Sequence, residues 1–364
     1  MALRNGFLVT IGGMWMAASA ISLAADPADL KRLTETQQCP NCDLSGADLS
    51  SMRLMSADLS GADLRGAKLR KTILFRANLS NSDLRDAIVE KASLGRINLS
   101  GANLSGINLS GARLAHANLR RADLRNTQLD GSMLEHADLG GANLTGARLS
   151  EAAMRFIKLD AALLDNTDLQ KADLRMVDFT KVASLKNSDL SGARFYNNAF
   201  DGLNLQGNRF DLADIQNSSF TATKLNEVSM AGAKLRKLDL SQADLSGANL
   251  QNAQISGAKL TGATLKSAKL SAAILHGNLV GADLSEATLV RADLAGANLK
   301  DANLRNADLT QANLSSANLY AADFSGAKLD RTNLRNANLR AAKLQDVDLS
   351  SAFLEGARGA PARN

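Results

Sequence analysis

The sequence predicts an all-β solenoid whose chain turns through four short sides in every coil. It repeats a five-residue unit of Ala, Asp or Asn, Leu and two small or polar residues, clearest in 61–65, 101–105 and 296–300. A period of five gives neither a helical stripe nor one face of a long strand, so the Leu side chains share one interior only if the chain bends once per repeat. Gly is frequent two positions after the Leu, where such a bend needs positive φ.

The repeat fills most of the chain and is interrupted twice. Its central apolar residue recurs every five residues over 44–179, 185–275 and 279–354. The frame changes by a one-residue insertion near 180–184 and a one-residue deletion near 276–278. We expect both to form local bulges, and such irregular segments are places where loops carry specificity.

The Ala-(Asp/Asn)-Leu-x-x pattern resembles the pentapeptide repeat proteins over about residues 43–356. The resemblance implies a right-handed quadrilateral parallel β-helix, here of about 16 coils stacked about 4.8 Å apart. Aromatic residues make up 4% of the chain, with 3 His, so it has little material for a cofactor pocket. Because the Asp and Asn residues recur with the repeat, they do not mark an acid–base pair, and we expect a non-enzymatic protein without a cofactor.

The ends of the chain differ from the repeats. Residues 1–24 have one early Arg, an apolar run and small residues before Ala25, which predicts a secretory signal peptide; an uncleaved membrane anchor is the alternative. Residues 25–42 form an N-terminal cap, with Asp26-Pro27 starting a short capping helix that runs to about Gln37. Residues 357–364 are expected to be a disordered tail. The last coil is then uncovered, and an end-to-end homodimer is one expectation.

Cys39 and Cys42 have the spacing of redox-active and metal-binding pairs. Extending the repeat backwards, however, places both side chains on the inside of the first coil. No second Cys pair completes a zinc site. We therefore expect a structural disulfide that locks the cap in an oxidising compartment, and redox function is the alternative.

One side of the solenoid has unusual outward residues, and we call it the candidate face: it is the side whose inward residues include Leu74, Leu94 and Leu114. Reading residues 20 apart, the second position after the Leu is successively Arg76, Arg96, His116, His136, Phe156 and Met176. Beside this column lie Phe75, Glu135, Arg155, Arg175 and Tyr196. Such cationic, imidazole and aromatic groups are typical of interaction surfaces, whereas random drift on an unconstrained surface is the alternative.

Two further groups have a functional and a plain explanation. His116 and His136, on adjacent coils, could bind a divalent metal with Glu135, or could simply be solvated histidines. Residues 151–229 depart most from the repeat, and Phe replaces the central Leu at several positions there. Phe stacked in the core explains these replacements without a function.

The expected function is that of an extracytoplasmic scaffold or protein-binding rod, in the periplasm or secreted, with an unidentified protein or an anionic envelope component as partner. A metal- or redox-responsive envelope module is a second hypothesis. Some pentapeptide repeat proteins mimic DNA and bind type II topoisomerases, but those rods are acidic and cytoplasmic, whereas this chain has a net charge of +5. Its 42 basic and 37 acidic residues are too balanced for nucleic-acid binding. Membrane attachment is expected only through an uncleaved signal segment.

Overall fold

Each five-residue repeat forms one side of a coil in the computed structural model, which describes residues 9–11, 14–16 and 24–360. Residues 20 positions apart pair in parallel, as in Asp63 with Asp83 and Asp83 with Asn103. Four repeats therefore complete one coil. The predicted four-sided parallel β-solenoid is confirmed.

The Leu and Ala of the repeat form the interior, and the turns follow from their hydrogen bonds. Leu114 and Ala117 are fully buried, as are their equivalents along the chain. The Leu114 N–H donates to Met133 O of the next coil (2.8 Å), while the Ala117 N–H donates back to Leu114 O (2.9 Å) and closes the bend. The residue between them, two after the Leu, has positive φ, for example 67° at Gly61. This is the position where Gly is frequent.

The Asp and Asn residues of the repeat are structural. The Asp58 carboxylate accepts the backbone N–H of Ser60 at 3.0 Å, which fixes the start of the bend. Amides also form ladders between coils: Asn98 Nδ2 donates to Asn78 Oδ1 at 2.8 Å, and Asn118 Nδ2 donates to Asn98 Oδ1 at 2.9 Å. These side chains therefore recur because the bends and the stacking of the coils require them.

A short helix covers the N-terminal end of the solenoid. Helix α1 spans Pro27–Thr36, with Asp26 as its N-cap accepting the Ala28 N–H at 2.8 Å. Leu33 is fully buried against the first coil, and Asp29 accepts the Asp43 N–H at 2.8 Å. The predicted capping helix is confirmed, and it ends one residue earlier than expected.

The regular strands are few because most sides are too short to count as strands. Two of them, β1 (Val9–Ile11) and β2 (Met14–Met16), pair antiparallel near the N-terminus. The other five form a parallel sheet on the candidate face, in the order β3-β4-β5-β6-β7. They span Arg194–Tyr196, Asp214–Gln216, Lys234–Arg236, Gln254–Lys259 and Ile274–Asn278.

Both frame changes are accommodated by local irregularities. At the insertion, the N–H groups of Ala183 and Ser184 both donate to Ala162 O, at 2.9 and 3.4 Å, so two residues face one. At the deletion, Gly277 pairs with Ala258 and the ladder skips one residue. A Cβ on Gly277 would lie 2.5 Å from Ala258 O, so only Gly fits there. The bulges lie where the sequence predicts them.

The Phe residues of the irregular region pack inside. Phe200 stacks between Phe179 and Phe220, with ring centroids 4.6 and 4.5 Å apart. Phe195 and Phe210 are also buried and contact this stack or each other. The plain explanation for these replacements, an aromatic core, therefore agrees with the structure.

The C-terminal end differs from the expectation. Arg358 still pairs with Asn338, its N–H donating to Ala337 O at 2.9 Å, so the ladder continues past the predicted repeat end at 356. Residues 361–364 of the predicted tail, and most of the predicted signal peptide, lie outside the described residues. No helix in the described part of the chain is long and apolar enough to span a membrane.

Candidate functional site

The structure confirms that the columns of the candidate face are real neighbours. Ser93 pairs with Arg113, Arg113 with Met133, and Met133 with Ala153 on successive coils. The same alignment continues across the insertion, where Asp173 pairs with Arg194. Side chains that are 20 or 21 residues apart therefore lie one above another along this face.

Three rings of the candidate face form a continuous stack. His116 and His136 have ring centroids 4.9 Å apart and planes that differ by 3°. Phe156 continues the stack at 4.9 Å and 2° from His136. All three side chains are exposed, Phe156 by 45%. The spacing of the rings follows the spacing of the coils that carry them.

Exposed apolar side chains are concentrated on the same face. Among the described residues, eight large hydrophobic side chains are exposed, and six belong to it. These six are Met55, Met133, Phe156, Met176, Tyr196 and Phe353. Phe75 is half-buried and lies over Gly95, where a Cβ would be 3.2 Å from the ring. Single exposed hydrophobic residues are ordinary, but a row on one side marks an interaction surface.

Positive charge is concentrated there as well. Between residues 53 and 197 the outward positions of the candidate face hold seven arginines against two acidic residues, a formal charge of +5 that equals that of the whole chain. The arginines are Arg53, Arg76, Arg96, Arg113, Arg155, Arg175 and Arg194, and the acids are Glu135 and Asp173. Within the described part of the chain the first four make no ion pair. The guanidinium of Arg76 instead lies 5.3 Å from the centroid of the Phe75 ring.

Asp173 organises the other three arginines. Arg175 binds its carboxylate with two hydrogen bonds of 2.7 Å. Arg155 and Arg194 approach the same carboxylate at 3.6 and 3.7 Å, and Arg155 also lies 3.7 Å from Glu135. The buried Nε of Arg155 has no hydrogen-bond partner among the described residues. The cluster therefore keeps an excess of donors and positive charge.

The charges of this cluster favour the ionised forms of Asp173 and Arg175. Burial alone raises the pKa of Asp173, but the hydrogen bond from Arg175 and the charges of Arg175 and Arg194 outweigh burial and hold the pKa below its usual value. The pKa of Arg175 is raised, chiefly by its hydrogen bond to Asp173. Asp173 thus remains a carboxylate that positions the arginines around it.

The family model described as "Pentapeptide repeats" matches the sequence in eight segments, at 41–70, 77–114, 107–146, 147–182, 213–252, 239–277, 278–315 and 317–356. These segments cover well over half of the chain. The chain belongs to the pentapeptide repeat family. The search of curated proteins found no match for this pentapeptide repeat protein.

Solved structures of other pentapeptide repeat proteins are similar to this one. HetL of Nostoc sp. strain PCC 7120, involved in regulating heterocyst differentiation, is 30% identical over 72% of this chain and 89% of its own, with a TM-score of 0.23. A pentapeptide repeat protein of the Arabidopsis thaliana thylakoid lumen is 27% identical over 35% of this chain and 69% of its own, with a TM-score of 0.17. The plasmid-mediated fluoroquinolone resistance protein QnrB1 is 17% identical over 69% and 89%, with a TM-score of 0.19.

The two cysteines of this pentapeptide repeat protein lie at disulfide distance. Their sulfur atoms are 2.00 Å apart, and both residues are buried beneath α1, as the repeat frame predicts. Asp29 is close enough to complete a group of three potential metal ligands with them. A disulfide leaves no thiolate to bind a metal, however, so the arrangement is that of a cross-link at the cap.

The structure does not assemble the predicted metal ligands. His116 and His136 stack as expected, but the Glu135 carboxylate lies beside Arg155, and the three side chains do not form a ligand group in the described part of the chain. The carboxylate is occupied by an arginine because Arg155 stands directly above it on the next coil. The candidate metal site is therefore not supported by the geometry.

Sequence reasoning missed part of the candidate face. Met55, Met133 and Asp173 were not among the predicted residues, although Met133 lies beside the ring stack and Asp173 gathers the arginines. Met133 and Asp173 occupy the position directly before the central residue, which also points outward. Reading that third column at the same 20-residue interval would have found them.

Proposed function

We propose that this protein is a non-enzymatic binding rod whose candidate face docks a partner protein bearing acidic groups around an apolar patch. The observation that carries the proposal is the coincidence, between residues 53 and 197 of one side, of five exposed large hydrophobic side chains with unpaired arginines. Aromatic residues, Met and Arg are enriched at protein interfaces, and a positive surface attracts an acidic one. The structural use of the repeat Asp and Asn residues supports the absence of a catalytic role.

The other sides of the same coils lack this excess of charge. Arg65, Arg85 and Arg125 stack at 20- or 40-residue intervals and, unpaired, would repel one another. Each instead binds the Asp two residues before it, at 2.5, 2.6 and 2.6 Å. Because these cations are neutralised within their own repeat, they offer a partner little net charge. The candidate face is therefore the side favoured for an acidic partner.

A crosslinked pull-down compares the natural protein with a face variant carrying His116→Ser, His136→Ser, Phe156→Ser and Tyr196→Ser. A matched control carries Leu212→Ser and Tyr320→Ser, which remove the two exposed large hydrophobic side chains that the described part of the chain has on other sides. We expect at least a tenfold loss of capture for the face variant and none for the control. Equal capture by both would reject the candidate face.

Charge is tested separately on the purified partner. Arg76→Glu and Arg96→Glu should weaken its binding at least tenfold, and the effect should shrink as salt is raised. Arg121→Glu, on another side of the solenoid, provides the control. If this control weakens binding as much as the face variant does, the attraction depends on net charge and the proposal of a specific face fails.

We further propose that the rod works outside the cytoplasm, in the periplasm or secreted. The apolar N-terminal segment and the cysteine pair at disulfide distance support this location, because disulfides persist in oxidising compartments. Mass spectrometry of the protein from fractionated cells should give a chain beginning at Ala25 with no alkylatable thiol. An intact N-terminus in the cytoplasmic fraction would contradict the proposal.

A further inference from the structure

The hydrogen-bond ladder opens on one side of the solenoid. In the coil below, the Leu69 N–H donates to Ile88 O (2.7 Å), and in the coil above, the Leu109 N–H donates to Gln128 O (2.7 Å). Between these two levels, the described backbone has no corresponding bond from Val89 to the coil that contains Leu109. The result is a cleft of about 530 Å³ lined by residues 89–93 and 108–113.

The cleft is closed at both ends. Before it, the Leu84 N–H donates to Asn103 O at 2.9 Å, and after it the Arg96 N–H donates to Ala115 O at 3.0 Å. The opening therefore spans about one side of a coil and its two bends. Its far rim carries Ser93 and Arg113, which belong to the candidate face.

The opening lies beside a large residue at a position that normally holds Ala. Ile107 occupies the inward position two before the central Leu, is 2% exposed, and lies one coil above Ala87. Extra methyl groups in a tightly packed interior push neighbouring elements apart. A smaller cavity of about 100 Å³ lies between Val182 and Leu203, two large residues at positions of adjacent coils that normally hold Ala.

The walls of the cleft present unpaired backbone groups. On the lower wall the N–H groups of Val89 and Lys91 lack the ladder partners that their equivalents have in the described coils on either side. On the upper wall the corresponding acceptors are the carbonyls of Asn108 and Ser110. Backbone groups withdrawn from the ladder require another partner, and an extended peptide backbone supplies complementary donors and acceptors.

We propose that this cleft binds a short extended segment of a partner protein through backbone hydrogen bonds to Val89, Lys91, Asn108 and Ser110. The length of one side accommodates about five residues at about 3.3 Å each. The rim side chains Glu90, Lys91 and Arg113 carry both signs of charge, so recognition depends on the backbone more than on the charge of the peptide. This site adjoins the candidate face at Ser93 and Arg113, but the backbone groups that it offers lie on the neighbouring side of the solenoid.

The test uses the full chain and a capped, fluorescein-labelled peptide with the sequence of residues 141–147, a segment that pairs with coil sides within this solenoid. Fluorescence anisotropy should detect binding, and amide hydrogen exchange should show protection confined to 86–94 and 105–113. A peptide N-methylated at alternate residues, which lacks half of its donors, should bind at least tenfold more weakly. Absence of binding up to 1 mM peptide, or protection elsewhere on the chain, would overturn the proposal.

Two variants separate the cleft from the general fold. Ile107→Ala should close the ladder, slow exchange at Val89 and Lys91, and reduce peptide binding at least tenfold. Ile97→Ala alters the same kind of inward position in the same local sequence, Ile-Asn-Leu-Ser, where the ladder is intact: the Asn98 N–H donates to Ala77 O at 2.9 Å. This control should bind the peptide normally, as should the face variant. Equal binding by the Ile107→Ala protein would show that the cleft is not the site.

Discussion

Two isoleucines that are followed by the same residues, Asn-Leu-Ser-Gly-Ala, allow a direct measurement of what the opening does to stability. Ile97 and Ile107 are 1% and 2% exposed, so each Ile→Ala change removes a fully buried side chain. Such a change usually destabilises a protein by about 2–5 kcal/mol. At Ile97 the coils are already bonded, and we expect a loss within that range.

At Ile107 the loss should be smaller because closure of the coils restores hydrogen bonds. Six ladder bonds are missing at the opening and become available on closure. Their donors are the N–H groups of Asp86, Val89, Lys91, Leu94, Asn108 and Arg113. At about 0.5–1.5 kcal/mol each, they would offset about 3–9 kcal/mol. The Ile107→Ala protein should therefore unfold at a clearly higher urea concentration than the Ile97→Ala protein.

Urea unfolding followed by circular dichroism measures the difference, with amide exchange at Val89 and Lys91 as the local readout. The two substitutions lie only half a coil apart, so effects of the long repeat array on cooperativity are shared. Equal losses of stability with unchanged exchange would refute the reasoning that Ile107 holds the coils apart.

Three further predictions concern other parts of the solenoid. Phe200→Leu should lower the free energy of unfolding by about 1–3 kcal/mol more than Phe324→Leu, because it removes two stacked ring pairs whereas the buried Phe324 has no ring partner in the described chain; equal losses in urea unfolding would exclude a stacking contribution. Gly277→Ala should lower the melting temperature, since its Cβ would meet a carbonyl oxygen at 2.5 Å, and an unchanged value would mean that the bulge adapts. The hydrogen bond from the Ser325 hydroxyl, together with the Ser325 N–H and the Lys343 ammonium, lowers the pKa of Asp323 from 3.8 to about 2. The contribution of this carboxylate to stability should therefore be present above pH 3.8 and be lost as the pH falls to about 2. NMR titration checks this value, and a carboxyl that titrates near 3.8 would contradict it.

The columns of the candidate face could be predicted because the repeat leaves no freedom in how coils align. Once four repeats make a coil, His116 must lie below His136, and Phe156 must follow, so a 4.9 Å stack is a consequence of the fold. The same regularity predicted the buried cysteines and the places of both bulges. Each of these depends only on the position of a residue within the repeat.

Features that depend on side-chain reach or on packing between coils could not be predicted in this way. The pairing of Arg65 with Asp63 arises within one side of a coil, whereas a comparison of residues 20 positions apart finds only neighbours on different coils. The opening at Ile107 is harder still, because Ile97 is followed by the same residues, Asn-Leu-Ser-Gly-Ala, and leaves the ladder intact. The difference lies in how the two adjacent coils share space, which a single repeat does not encode.

The stack of His116, His136 and Phe156 is not explained by the stability of the fold. All three residues have φ of 58°, the left-handed conformation that Gly adopts freely at equivalent positions. For other residues this conformation costs about 1–2 kcal/mol, and a stacked pair returns about 0.5–1.5 kcal/mol. Three strained residues joined by two stacked pairs therefore gain little or nothing over glycine, while exposing rings to water. A face that the solenoid does not need for folding is better explained by contact with a partner, which would bury those rings beside the unpaired arginines.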